Sequence, residues 1–306
     1  MRIAITGAGG FVGRWLTAEL HGAGHEVIAA TARDPDITDG LAVERWVREA
    51  APAAVVHLAA VSSGRAAAAD PIRALEVNVG GTIHLVEAAR RLATPPIVLV
   101  PSSAEVYGGP ASDELPLGES SSLRPRGAYA LTKVAQESVA IALGGRARIP
   151  ILVARSFNHT GPGQSTEFVV PAIAARVVAV ARSEASDIPI GNLDVARDVL
   201  DVRDVARAYR LLLEGAAAGT VPAGTIVNVS SGRAVTIREI LSRLCATAGV
   251  DAPIVVDPAL VRPDEALEIR GDPTWIGELV GWRPTIDLEQ TLTDVLDAAR
   301  AGSAGG

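Results

Sequence analysis

The sequence predicts an α/β protein built on a doubly wound parallel sheet of the Rossmann type, with a smaller, partly interleaved C-terminal region. Three observations carry that reading. Short apolar, β-branched runs recur between stretches of helical periodicity. The first run opens directly into a glycine loop and then a helix. The runs are nearly continuous in apolar character rather than alternating, as strands covered by helices on both faces must be.

The elements follow in order. RIAIT (2–6) is the first strand, TGAGGFVG (6–13) the loop, and 11–23 the first helix. HEVIAAT, AAVVHLA, PIVLVPS and IPILVAR are the next strands, and helical patterns at 41–50, 71–93 and 128–143 lie between them. RAAAAD (65–70) reads as the approach to a helix. After residue 157 the rhythm loosens into a Gly/Pro loop, a helix near 166–182, and shorter elements. The spacing therefore divides the chain into a dinucleotide-binding domain, 1–157, and a mainly substrate-binding region, 158–306, with some later segments returning to the first.

Composition narrows the function classes. Of 306 residues, 48% are hydrophobic but only 3% aromatic, so aliphatic side chains must fill the core. A single cysteine, Cys245, rules out an intramolecular disulfide and fits a reducing, cytoplasmic setting. No metal-ligand spacing is present. No signal-like start and no run of about 18 uncharged apolar residues points to secretion or a membrane span. The net charge of −7, with charges interspersed, argues against nucleic acid as a partner.

Three motifs carry chemistry. Gly7, Gly10 and Gly13 form G-x-x-G-x-x-G between strand and helix, where backbone can approach a pyrophosphate at a helix N-terminus. The second strand ends in Thr31-Ala32-Arg33, where an NAD site expects an acid; Arg33 favours NADP(H), while Asp34 and Asp36 keep NAD(H) possible. In YALTK, Tyr129 and Lys133 are four apart and share a helix face, so an ammonium beside the hydroxyl brings the phenol towards phenolate near neutral pH. Lys133 is the chain's one lysine among 28 basic residues, and a compact ammonium is not replaceable by a guanidinium. PSSAEVYGG puts Ser102 or Ser103 at a strand's carboxyl end, able to bond a carbonyl oxygen, with Glu105 either an active-site carboxylate or a solvated acid.

TGAGGFVG, HLAA (57–60), NVGGT (78–82), SSAEVYG and Y-x-x-x-K, in this order, resemble the extended short-chain dehydrogenase/reductases acting on nucleotide sugars. RSFNHTGPGQ (155–164) and GNLDVARDVLDVRDVARAY (191–209) are similar to the GDP-4-dehydro-6-deoxy-D-mannose reductases, the GDP-D-rhamnose synthases, with GDP-mannose 4,6-dehydratases as nearest relatives. The resemblance implies Ser103, Tyr129 and Lys133 as the catalytic set, with Glu105 beside them. It implies cofactor contacts from Gly7, Gly10, Phe11, Val12, Arg33, Asp36, Ile37, Leu58, Ala59, Ala60, Asn78, Tyr129 and Lys133. Nucleotide-sugar contacts would come from Ser103, Asn158, Val169, Arg197 and Arg262; His159 itself reads as a hydrogen-bonded supporting histidine rather than a catalytic one. It also implies a homodimer through a helix pair that includes the YALTK helix.

Dehydratases carry Thr-Asp-Glu or Thr-Ser-Glu where this chain has Ser103-Ala104-Glu105, and Ala104 cannot transfer a proton. The resemblance thus implies NAD(P)H-dependent reduction of a 4-keto group, with dehydratase or nucleotide-sugar 4-epimerase as alternatives. A nonenzymatic NADP-binding sensor is the reading from another class, opposed by the intact Ser103, Tyr129 and Lys133.

Overall fold

The five apolar runs and a sixth strand at 226–229 pair into one parallel sheet in the computed structural model, which describes residues 1–30, 35–261 and 265–302. The first half runs β1 (Arg2–Thr6), α1 (Phe11–Gly22), β2 (Glu26–Ala29), α2 (Gly40–Ala50), β3 (Ala54–His57), α3 (Gly64–Ala69), α4 (Pro71–Leu75), α5 (Gly81–Arg90), β4 (Ile97–Ser103), α6 (Gly127–Ala147) and β5 (Ile151–Ser156). The second half adds β6 (Asn158–Thr160), α7 (Val169–Ala181), β7 (Ile188–Ile190), β8 (Ala196–Asp201), α8 (Val202–Ala217), β9 (Ile226–Val229), β10 (Ala234–Thr236), α9 (Ile237–Ala248), β11 (Ile254–Val256), β12 (Glu268–Ile269), α10 (Thr274–Val280) and α11 (Leu288–Gly302).

The main sheet has the order β2-β1-β3-β4-β5-β9. The chain steps outward from β1 to β2 and then crosses back to the other side of β1 for β3. That reversal opens a crevice beyond the carboxyl ends of β1 and β3, where doubly wound sheets bind ligands. Ile3, Ile5, Val56, Leu99 and Leu152 pack under Leu16, Leu20 and Leu212 of α1 and α8. On the opposite face Val55, Val98, Val100 and Val153 meet Val43, Leu85 and Ala140 of α2, α5 and α6. A separate cluster joins α7, α9 and α11 through Ile173, Val177, Ile240, Leu244, Leu292 and Leu296.

Local chemistry sets the ends. Asp39 caps α2 by accepting from the N–H groups of Leu41 and Ala42 at 3.0 and 3.1 Å, and Thr236 caps α9 through Glu239 N–H. The 71–93 pattern is not one regular helix: Asp70 caps α4, a π turn occupies Glu76–Gly80, and α5 follows. The apolar spacing runs through all three, so the pattern hides the turn. RAAAAD is itself helical, because Ser63 accepts from Ala66 N–H at 3.1 Å and starts α3 one residue earlier.

Beyond β5 the chain changes sheets within one residue. Phe157 still donates to Val229 O at 2.9 Å, and Asn158 already pairs with Val199 of β8. The polar pair Asn158-His159 therefore lies outside the apolar main sheet, which accounts for polar residues directly after ILVAR.

Candidate active site

The glycine loop fits a dinucleotide because side chains there would collide with backbone. Gly7 has φ +71°, and a Cβ on it would lie 2.7 Å from Ala59 N. One on Gly13 would lie 2.5 Å from Gly7 O, so α1 starts hard against the loop. Gly10 precedes α1 and no side chain caps it, so the first-turn N–H groups, including those of Phe11 and Val12, face the crevice with the positive end of the helix dipole. Leu58, Ala59 and Ala60 leave β3 across from it; Leu58 N–H donates to Thr6 O and Ala59 N–H to Thr6 Oγ1. Ile37 is buried, with Gly81 so close that a Cβ there would come 2.7 Å from Ile37 Cγ1. The Asp36 carboxylate accepts from Thr38 N–H and Oγ1 at 2.9 and 2.8 Å, bonds that hold it below its ordinary pKa. Thr31, Arg33 and Asp34 lie outside the described residues.

Tyr129 stands in the first turn of α6 and Lys133 one turn on. The Ser103 hydroxyl at the end of β4 lies close enough to the Tyr129 phenol to pull its pKa downward, and Ser103 Oγ accepts from Glu105 N–H at 3.2 Å. Ser103, rather than the buried Ser102, is thus the hydroxyl beside the phenol. Lys133 is only 5% exposed; its Nζ donates to Pro101 O at 2.9 Å and Gln136 Oε1 at 2.8 Å, and lies 5.9 Å from the Tyr129 ring centroid. Burial lowers the Lys133 pKa to about 8, against the opposing pull of Glu137. Burial, and then the Glu105 carboxylate, raise Tyr129 above its ordinary value. In the protein by itself, desolvation thus works against the pull of an ammonium that is held by other acceptors. A protonated phenol is the state a proton donor needs.

The second half supplies the other side of the crevice. Asn158 is exposed on β6, and His159 Nδ1 bonds Phe157 O at 3.0 Å, its pKa lowered by burial. Val169 begins α7 with 44% of its surface exposed. Arg197 is engaged within the protein: it donates to Glu265 Oε1 at 2.8 Å and to the carbonyls of Ala196 and Ala266. Arg262 lies outside the described residues.

A family model described as GDP-mannose 4,6 dehydratase matches residues 29–295. The chain belongs to that family. It is 36% identical to the GDP-6-deoxy-D-mannose reductase of Pseudomonas aeruginosa, over 96% of each chain. Among solved structures, RMD from Pseudomonas aeruginosa complexed with NADPH superposes with a TM-score of 0.90 at 33% identity, covering 99% of this chain and 100% of that one. The UDP-glucose 4-epimerase of Thermus thermophilus, in complex with NAD, gives 0.85 at 27%, covering 98% and 99%. The resemblance to extended short-chain dehydrogenase/reductases and the Rossmann-type sheet both stand.

Within this member of the dehydratase-related family, Gln136 and Thr132, which the motifs did not single out, tie Asn78 and Thr82 of the NVGGT stretch to the helix of Tyr129. Gln136 Nε2 donates to Thr82 Oγ1 at 2.8 Å, Thr82 Oγ1 to Asn78 O at 2.7 Å, and Asn78 Nδ2 to Thr132 Oγ1 at 2.9 Å. Thr132 Oγ1 returns to Tyr129 O at 2.8 Å, which closes the circuit around α6. Asn78, fully buried in the π turn, also exchanges hydrogen bonds with Val61 through both ends of its amide. The available signal was spacing, since Gln136 stands three after Lys133. Below it, Glu137 and Arg155 form a buried ion pair at 2.8 Å, and Arg155 donates to Tyr107 Oη and Glu119 O.

Proposed function

We propose that the chain reduces the 4-keto group of GDP-4-dehydro-6-deoxy-D-mannose to give GDP-D-rhamnose, with NADPH favoured and NADH usable. The observation that carries this is the trio Ser103, Tyr129 and Lys133 flanked by buried, apolar Ala104. The glycine loop and the uncapped start of α1 would hold the dinucleotide, which supplies hydride when bound. Ser103 orients the carbonyl oxygen. Tyr129, kept protonated by burial, gives its proton to that oxygen as hydride reaches carbon, so the alcohol forms without a free alkoxide. Lys133 steadies the resulting phenolate and the cofactor ribose. Asn158, Val169, Arg197 and Arg262 would bind the sugar diphosphate and nucleoside.

The 36% identity to a GDP-6-deoxy-D-mannose reductase supports this substrate class. A dehydratase returns its hydride to the sugar and needs a further proton-transfer group; Glu105, exposed beside Tyr129, favours that second reading, and Ala104 opposes it.

The homodimer would use α4 and α6, which pack together and expose Ile72 (72%), Leu75 (56%) and Leu131 (56%). Among the described residues no helix is long and apolar enough to cross a membrane, and we place the protein in the cytoplasm on its composition.

The test is cofactor stoichiometry. GDP-4-dehydro-6-deoxy-D-mannose with NADPH should oxidise one equivalent of cofactor and yield a GDP-6-deoxyhexose, and GDP-mannose alone should remain unchanged. Formation of a 4-keto product from GDP-mannose without reductant would overturn the assignment in favour of the dehydratase.

A further inference from the structure

Three residues of α1 grip the loop that follows β6. Phe11, Arg14 and Trp15 stand at i, i+3 and i+4 and so share one face of the helix. The Phe11 ring stacks on His159, with centroids 6.3 Å apart and planes 3° from parallel. Arg14 Nη2 donates to Gly163 O at 3.1 Å, and its Nη1 reaches back to Gly9 O at 3.0 Å. Trp15 Nε1 donates to Pro162 O at 3.2 Å. On its other side Gly161 lies hard against α8, where a Cβ would come 2.7 Å from Val202 Cγ1. The loop is also braced internally: Thr160 Oγ1 donates to Gln164 Oε1 at 2.7 Å, and Gln164 Nε2 to His159 O at 3.0 Å. It is therefore braced as one piece, and the helix it is fastened to is the one whose N-terminus would hold the cofactor diphosphate.

We propose that Phe11, Arg14 and Trp15 couple the two ligand sites, so that a bound nicotinamide dinucleotide tightens the nucleotide-sugar site and the reverse. This rests on the reading that residues 158–164 border the nucleotide sugar. Arg14 bridges a carbonyl of the glycine loop and a carbonyl of the Gly161-Pro162-Gly163 turn, so fixing either segment fixes the other. The conformational freedom lost by the pair is then lost on binding of the first ligand, and the second binds to an ordered loop. Linkage requires equal factors in both directions.

The test is calorimetric titration of the full chain with NADPH and with GDP, each alone and with the other saturating. In the unaltered protein each should tighten the other about tenfold, by equal factors. Arg14→Met combined with Trp15→Phe removes the donors and keeps an apolar side chain at both places. In that variant each ligand should still bind alone, and the factor should fall to roughly twofold or less. Arg14→Met by itself, a change at an exposed position, should give an intermediate factor, and serves if the double variant does not fold. Full coupling in these variants would overturn the inference alone. Failure of GDP to bind the unaltered protein under either condition would overturn the reading of the loop, and the inference with it.

Discussion

Lys133 Nζ lies 2.8 Å from Gln136 Oε1, one turn further along the same helix, and the other end of that amide is held by Thr82. The ammonium is thus aimed by a neutral acceptor whose orientation is fixed from α5. Its remaining contact, Pro101 O, is a backbone carbonyl at the end of β4. Two acceptors thus converge on one compact ammonium. In Lys133→Arg the planar guanidinium has no room to reproduce those contacts, although the charge is kept. Turnover should fall by roughly 10²-fold or more. Near-normal turnover in the Lys133→Arg protein would mean that charge alone is required there.

Tyr129→Phe removes the proton donor and leaves the ring, so NADPH affinity should stay close to that of the unaltered protein. Loss of kcat should be on the order of 10²-fold or more. Near-normal kcat would remove the phenol from the mechanism and move the proton donor to Ser103 or water.

The alkaline limb of the pH profile should belong to Lys133. Its pKa is lowered to about 8 by burial, with Glu137 pulling the other way. His57 beside it is driven down to about 3 by burial and then by Lys133, and so is neutral over the working range. The ammonium is the active form, so kcat/KM should fall as pH rises through about 8. Tyr129, raised by burial, remains protonated there and does not set the limb. Gln136→Glu places a carboxylate against Nζ and should move the limb upward by about one unit or more. A limb that stays in place in that variant belongs to another group.

Cofactor choice tests Arg33. Arg33→Ala should raise KM for NADPH and barely change KM for NADH, since only the former carries a 2′-phosphate for a guanidinium to pair. Equal losses with both cofactors would mean that Arg33 does not read that phosphate.

The buried pair beneath the site makes a stability prediction. Glu137→Gln strips Arg155 of its carboxylate, with both side chains about 5% exposed. Removing one partner of a buried pair costs about 3–5 kcal/mol, so the thermal midpoint should drop clearly. A midpoint within a degree or two of the unaltered protein would show that Tyr107 Oη and Glu119 O suffice to hold the guanidinium.

The first five strands and the glycine loop were legible because both are local. β-branched runs mark strands, and Gly7 and Gly13 stand where a side chain would strike backbone. The Tyr129–Lys133 pair was legible through helix spacing and through the rarity of lysine. Gln136, Glu137 and Arg155 were not. A polar residue on a helix or strand has the same letter whether it faces water or the sheet, and their partners lie up to 54 positions away. The same limit applies to Arg197, whose partner Glu265 is 68 positions on. Burial of the phenol was not legible either, because spacing reports proximity to a charge and says nothing of dehydration.

The return of β9 to the edge of β5 has a consequence for the order in which the molecule can be assembled. Val153 to Ser156 pair with Ile226 to Val229, so a growing chain that has released everything through β5 still holds that strand with one side unpaired. All six residues of β5 are buried in the finished molecule, which makes the open edge apolar as well as bare, the kind of strand that recruits a neighbouring chain. The ribosome must deliver β6 and β8 of the second sheet, and β7 of the separate β7–β11 pair, before the strand that seals the first. A fragment ending at residue 157 would therefore not be a smaller cofactor-binding protein but an unfinished sheet, and expression trials of it should yield aggregate.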